Sequence, residues 1–566
     1  MQWSDAQLTA IETRRKNMLV AAAAGSGKTA VLVERIIQRI VSGECDVDRL
    51  LVVTFTNAAA AEMRQRVESA LQTELGRNPG SERLERQLVL LSNASISTMH
   101  AFCQNVIRQN FAAIDLDPKF RLANEQELAL IRQDVLESLF EERYEAQQQE
   151  FLRFTEEYGS EHGDELLYEL VLKLFYYAQS QPFPEEWLEA LPDQFELSDG
   201  AHLADTVWMP VAEMDIRQVL DSCAEETERL MEQAGRLACE FYLPVLQSDR
   251  ELVLSLQEAM KKPVWDDRRA VFFAAKFAVL RAPKGTDDEI KALFSKPREK
   301  IKKKIAALQQ KYFASAEDEL LADLRATAPG MRVLCALTLE FAAQFAAVKK
   351  ERTLVDFNDL EHFALQILQD ASASDRLKPS ETALALRQRY QEVMVDEYQD
   401  TNGVQEAILS LVQNPARRNL FAVGDVKQSI YRFRLADPSL FLQKYQHYPK
   451  LGESYVRVDL AQNFRSRPEI LSAINFLFAQ VMVPGTMELC YDEAAALHPG
   501  PDYPPATGPT LAGPVELDLI DRDDCAEGGE AGESAGEEDA AELKGFALEA
   551  QHIANRLHEL MESGVQ

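Results

Sequence analysis

The sequence predicts an α/β fold in which a parallel sheet is interrupted by a large helical insertion. Two observations carry this: strand-loop-helix units occur twice near the amino terminus, and two further apolar strands appear only after a long helical stretch. The first unit is "KNMLVAAAA", an apolar run ending in small residues, then Gly-Ser-Gly, then "KTAVLVERIIQRIV" with helical apolar spacing. The second is "LLVVTFT" (Leu50 to Thr56), followed by the helical "NAAAAEMRQRVESAL". From roughly Phe111 to Lys350 the pattern is almost continuously helical. The late strands are "EVMVDE" (Glu392 to Glu397) and "NLFAVGD" (Asn419 to Asp425), and a third region opens near "SYVRVDLAQNFRSRPEIL". No repeat of fixed period is visible.

A length of 566 residues exceeds what one core supports, and 46% hydrophobic with 27% charged residues fits a globular, multidomain chain. No apolar run approaches the roughly 18 residues that span a bilayer, so no membrane segment is expected. The start "MQWSDAQLTA" has neither a basic region nor an apolar h-region, and the expected location is cytoplasmic. Seven cysteines without a C-x-x-C pair argue against a disulfide framework or a structural zinc site. They are expected to be reduced thiols.

The net charge of -32 would disfavour a nucleic-acid partner if it were spread evenly, but binding depends on a local basic groove. It is not even. "DRDDCAEGGEAGESAGEEDAAE" (Asp521 to Glu542) is an acidic, Gly- and Ala-rich run expected to be a disordered insertion, after the Pro/Gly-rich loop "HPGPDYPPATGPTLAGP". Basic residues cluster from Lys261 to Lys311, either as a solvated helix face or as a phosphate-contacting patch.

The chemistry begins at Ala22 to Thr29, which fits G-x-x-x-x-G-K-[ST] with Ala22 in place of the first glycine. Gly25 and Gly27 let the backbone curl so that its N–H groups face phosphates at a helix amino terminus. Ala24, Gly25, Ser26, Gly27, Lys28, Thr29 and Ala30 form this cradle. Lys28 would reach the β- and γ-phosphates of ATP and Thr29 would ligate Mg²⁺. In "VMVDEYQDTN" an apolar strand ends in Asp-Glu, placing Asp396 to hold Mg²⁺ and Glu397 to orient or deprotonate the attacking water.

With both motifs in view, the chain resembles superfamily 1A DNA helicases of the UvrD/Rep/PcrA type, and among them the AddA subunits of bacterial AddAB helicase–nucleases. The resemblance runs from Gln7 to beyond Arg467. "WSDAQLTAI" looks like the Q motif, in which Gln7 would read the adenine edge. "VTFTNAAAAEM" and "ISTMHAFC" resemble DNA-contacting motifs, implying Thr54, Phe55, Thr56, His100 and Phe102 along a single-strand path, and "VDFNDLEHFAL" resembles the segment returning from the helical insertion. "FAVGDVKQSIYRFRLADP" looks like motif III: Gln428 would sense the γ-phosphate, while Tyr431, Phe433 and Arg434 offer a stacking platform for bases. "DLAQNFRSRPEI" resembles motif IV, with Arg465 as the candidate arginine finger and Phe464 stacking on adenine.

The resemblance implies RecA-like motor domains. The expected division is 1–113 and 351–453 for the first motor domain, 114–350 for the helical insertion, and 454–566 for the start of a second motor domain. Further helicase motifs and a nuclease signature are not found, so the chain is expected to be part of a longer protein or to work with another polypeptide. The implied function is that of one component of an ATP-dependent 3′–5′ DNA helicase, working on single-stranded and duplex-end DNA in double-strand break repair, with an AddB-like partner. The alternatives are a UvrD-type repair helicase without a nuclease, an ATP- and DNA-binding fragment without turnover, and another class of P-loop enzyme such as a kinase or GTPase.

Overall fold

The computed structural model describes residues 3–160, 163–482, 491–500, 515–520 and 537–563. Its centre is an all-parallel sheet of β1 (Asn17–Ala22), β2 (Leu50–Thr54), β3 (Ser95–Thr98), β4 (Glu392–Val395), β5 (Leu420–Gly424) and β6 (Tyr455–Leu460). The strands lie in the order β3-β2-β4-β5-β1-β6. Strands from both ends of the chain therefore alternate in one sheet. Both faces are covered: Met18, Val20, Leu50, Val52, Met394, Phe421 and Val423 enter one core, and Leu19, Leu51, Val53, Val393, Val395, Leu420 and Ala422 enter the other. Two-sided burial is why these strands read as unbroken apolar runs instead of alternating ones.

The helices that frame the site are α1 (Asp5–Glu12), α2 (Lys28–Val41), α3 (Asn57–Arg77), α4 (Met99–Asn110), α5 (Glu317–Glu351), α6 (Phe357–Leu368) and α7 (Gly403–Val412). α2 is fixed beneath the sheet by charge. Arg35, 1% exposed, gives Glu392 hydrogen bonds of 2.9 and 2.6 Å, and Arg39 adds one of 2.9 Å. Burial pushes the Arg35 guanidinium down from its ordinary pKa, and Glu392 opposes this.

The region between β3 and β4 is helical, as its periodicity predicts, but among the described residues it has two large cores and a small third cluster around Ala178, Leu188 and Cys335. One large core contains Phe140, Phe154 and Phe175, and the other contains Ile216, Leu246 and Phe294. α5 runs between them, giving Leu321 to the second and Leu337, Phe341 and Phe345 to the first. By length and composition α5 is apolar enough to cross a membrane, with mean hydropathy 1.5 over an 18-residue window. The sequence reading expects no such stretch; 28% of the window is buried, and Leu321, Leu337, Phe341 and Phe345 are the α5 side chains buried in these two cores. At its carboxyl end buried Lys349 contacts Asp356 and Asp359, both at 2.7 Å, tying the insertion to the start of α6.

One expected boundary is displaced. The second motor is expected to open at 454, yet β6 pairs with β1 along its whole length from Asn17↔Tyr455 to Ala22↔Leu460, so the first sheet includes it. This pairing satisfies the N–H and C=O groups of the largely apolar β1 on that side and leaves β6, whose side chains alternate between buried and partly exposed, as the edge strand. The basic stretch falls in the second helical core: Lys296, Lys300 and Lys303 are exposed on the helix Asp288–Lys311, while Arg298 is buried against Asp249. Five cysteines (45, 103, 223, 239 and 335) are buried free thiols. Cys490, Cys525, most of the Pro/Gly-rich loop and the acidic run up to 536 lie outside the described residues.

Candidate nucleotide and nucleic-acid site

The cradle forms at the carboxyl end of β1, where open α/β sheets place ligands. Gly25 and Gly27 have φ of +70° and +81°, left-handed values that a side chain would strain, and Gly27 is the residue before α2. Neighbours leave no room for a Cβ at Gly25, which would meet the Asn463 side chain. Asn463 donates to Ala24 O at 2.8 Å, and Phe464 N donates to Gly25 O at 2.8 Å. The segment that follows β6 is thereby fastened to the cradle. Beneath it Gln7 accepts from Ser4 N (2.9 Å) and donates to Ser26 O (3.0 Å). Gln7 and Phe464 border a cavity of about 450 Å³, with Phe464 39% exposed.

Lys28 reaches across to the other motif, its Nζ 3.1 Å from Glu397 Oε2. Glu397 itself sits at φ +51°, a left-handed conformation that costs a non-glycine residue on the order of 1–2 kcal/mol. Asp396 N donates to Val53 O at 2.9 Å, extending the sheet ladder and fixing the carboxylates at the strand end. Gln399 joins this point to β5: it donates to Glu397 Oε2 (2.9 Å) and accepts from Asp425 N (3.0 Å). Asp425 in turn accepts from Gln428 at 2.8 Å and pairs with Lys427 at 3.0 Å.

The electrostatics call for a cation. Burial, and then the Glu397 charge, push Asp396 up to about 6, and the same two causes push Asp400 up to about 6. Three carboxylates thus face Lys28 alone among the described ion pairs of this corner. Ser26 Oγ in the cradle is buried and has no hydrogen-bond partner among the described residues. A phosphate group carrying Mg²⁺ fits both facts: backbone N–H groups and Ser26 face the anion, and an all-oxygen donor set suits the hard cation.

On the adjoining surface an aromatic shelf forms from two separate stretches. The Phe55 and Tyr431 rings lie 4.5 Å apart, Phe433 follows at 5.8 Å, and the Arg434 guanidinium sits 5.3 and 5.5 Å from the two later rings. Phe433 is 75% exposed. Large exposed rings beside a cation are the surface on which bases of a single strand stack. Farther along, His100 lies 4.9 Å from the exposed ring of Phe357 and 3.2 Å from Glu361.

The structure therefore joins Gln7, the cradle from Ala24 to Ala30, Asp396, Glu397 and Gln428 at the carboxyl ends of β1, β4 and β5. Arg465 is exposed on the turn after β6, where its N–H donates to Asn463 Oδ1, and it has no side-chain partner among the described residues. Two path residues are corrected. Phe102 is 4% exposed in the core against Tyr390, and Thr54 is 2% exposed with its hydroxyl donating to Thr56 O. Both fall on the inward side of an element whose neighbours, Phe55 and His100, face out. Thr56 is exposed and caps α3 by accepting from Ala59 N at 3.0 Å. Sequence reasoning missed Gln399, Phe357 and Glu361. Gln399 could have been found, since it follows the Asp-Glu pair by two residues. Glu361 could not, because its partners lie on other elements.

A phosphate cradle and an Asp-Glu strand end on one parallel sheet define a P-loop nucleotide-binding protein. The chain belongs to the UvrD/REP helicase family, matching its N-terminal domain over residues 3–449. Across 99% of its length it is 41% identical to an ATP-dependent helicase/nuclease subunit of Acetivibrio thermocellus. It is 42% identical, again over 99% of its length, to the proteins of the same name from Pelotomaculum thermopropionicum and Anoxybacillus flavithermus. The chain spans 46% of the length of each of these relatives.

Proposed function

We propose that the protein is an ATP-dependent DNA helicase subunit, moving 3′ to 5′ on single-stranded DNA and unwinding duplex ends during double-strand break repair in the cytoplasm, with an AddB-like partner. Membership of the UvrD/REP helicase family and the names of its relatives support the helicase reading. The direction, the duplex-end substrate and the partner come from the resemblance.

The observation that carries the ATPase reading is the Lys28–Glu397 contact, which closes a site from residues 369 positions apart. A triphosphate in the cradle draws Lys28 onto its β- and γ-oxygens and frees the Glu397 carboxylate to orient and deprotonate water. Thr29 and Asp396 would hold Mg²⁺, which would supply charge neutralisation on the phosphates. Gln428, held on Asp425, senses the γ-phosphate, and Arg465, exposed on its turn, stabilises the charge that develops there. Gln7 and Phe464 take the adenine in the cavity they border. Phe55, Tyr431, Phe433 and Arg434 hold bases, with Thr56 and His100 along the same path.

Steady-state ATP hydrolysis, with and without single-stranded DNA, tests this. DNA should stimulate turnover, and Lys28→Ala should lower it by about 10²-fold or more. Turnover indifferent to DNA, or surviving in Lys28→Ala, would overturn the reading. Nucleotide binding without turnover would assign this chain the fragment alternative.

A further inference from the structure

Glu361 stands on α6 with its side chain 4% exposed, and its one ion-pair partner among the described residues is His100. Leu360, Ala364 and Leu365 around it belong to the apolar core, where a leucine would pack without charge. A buried carboxylate costs several kcal/mol unless donors surround it. Two do, both from the amino-terminal end of α7: Gln405 donates to Oε1 at 2.7 Å and Asn402 donates to Oε2 at 3.1 Å, while His100 Nε2 on α4 lies 3.2 Å from Oε1.

These three neighbours come from opposite ends of the machinery. His100 opens α4 beside the exposed Phe357 ring, on the strand-facing surface. Asn402 caps α7 through Gln405 N at 2.8 Å, and α7 starts a few residues after Asp396 and Glu397. Between them lies Gln399, which holds Glu397 and Asp425 together. One carboxylate therefore spans the helix that faces nucleic acid and the segment leaving the nucleotide site.

We propose that Glu361 is a positioning residue that couples single-strand contact at His100 to the nucleotide site through Asn402 and Gln405. This rests on the function proposed above. A strand phosphate that draws on the His100 imidazole weakens its hold on Oε1, and the carboxylate then rebinds Gln405 and Asn402 more tightly. The amino-terminal turn of α7 and the Gln399–Glu397 contact shift with it. By linkage the effect is reciprocal: nucleotide in the cradle alters the grip of His100 on the strand.

The test is equilibrium linkage in the 566-residue chain. Binding of a fluorescent oligothymidylate of about 16 nucleotides is measured by anisotropy, with and without a non-hydrolysable ATP analogue and Mg²⁺. In the native chain the two dissociation constants should differ by about 5-fold or more. Glu361→Gln, which keeps shape and removes charge, should bring their ratio close to one while the melting temperature holds. His100→Gln alone should also bring the ratio close to one, and the double variant should lose no more than either single change, the non-additivity of two residues in one network. A ratio equal to the native one in either Glu361→Gln or His100→Gln overturns the proposal. A merely structural glutamate would give lowered melting with an unaltered ratio, which also overturns it. Failure of the native chain to bind strand or nucleotide at all would instead remove the functional reading itself.

Discussion

Gly27 shows how much a single position decides. Its φ of +81° turns the chain from the cradle into α2, and a Cβ there would lie 3.3 Å from Gln7 Nε2. Gly27→Ala should cost about 1–2 kcal/mol in urea unfolding, the penalty of a left-handed residue. It should weaken nucleotide binding as well, because Gln7 is pushed from Ser26. A fold of unchanged stability would show that the loop relaxes without strain. Glu397 occupies the same region of backbone space with a side chain, so the strand end holds it there by the Lys28 and Gln399 contacts.

At the level of elements, α2 is where phosphate chemistry meets the core. Its first residue is Lys28, and two turns later Arg35 lies buried on Glu392 with its guanidinium 4.5 Å from the Phe421 ring. Removing one partner of such a pair leaves a charge without compensation. Glu392→Ala should therefore destabilise the sheet by about 3–5 kcal/mol, read as a shift in the denaturation midpoint. Replacing Arg35 and Glu392 together with apolar residues of similar volume should restore much of the loss, the outcome that separates uncompensated charge from lost packing. The pattern of "KTAVLVERIIQRIV" made α2 legible as a helix, but nothing in it marks Arg35 as inward-facing. That follows from Glu392, which enters the sheet from a strand 357 residues away.

Across the whole molecule the sheet and the second helical core have separate buried clusters, and each is expected to unfold as its own unit. In the proposed site nucleotide and Mg²⁺ would contact the sheet alone, so they should raise its melting transition while leaving the other in place. At about 100 times the dissociation constant the gain is about 2.7 kcal/mol by mass action. Calorimetry with Trp265 fluorescence, a reporter stacked on Phe313 in the second core, checks this. A common shift of both transitions would mean that the units are coupled. Local sequence by itself determined the strands, the cradle and the Asp-Glu end, because two-sided burial and phosphate binding both leave contiguous patterns. It also determined the aromatic content of the shelf. Only the tertiary structure decided that β6 joins the first sheet as an edge strand, that Phe102 and Thr54 turn inward, that Phe55 meets Tyr431, and that Glu361 gathers His100, Asn402 and Gln405. The reason is range: a backbone motif is written in neighbouring residues, whereas an edge, a buried face or a shared carboxylate is defined by partners hundreds of positions away.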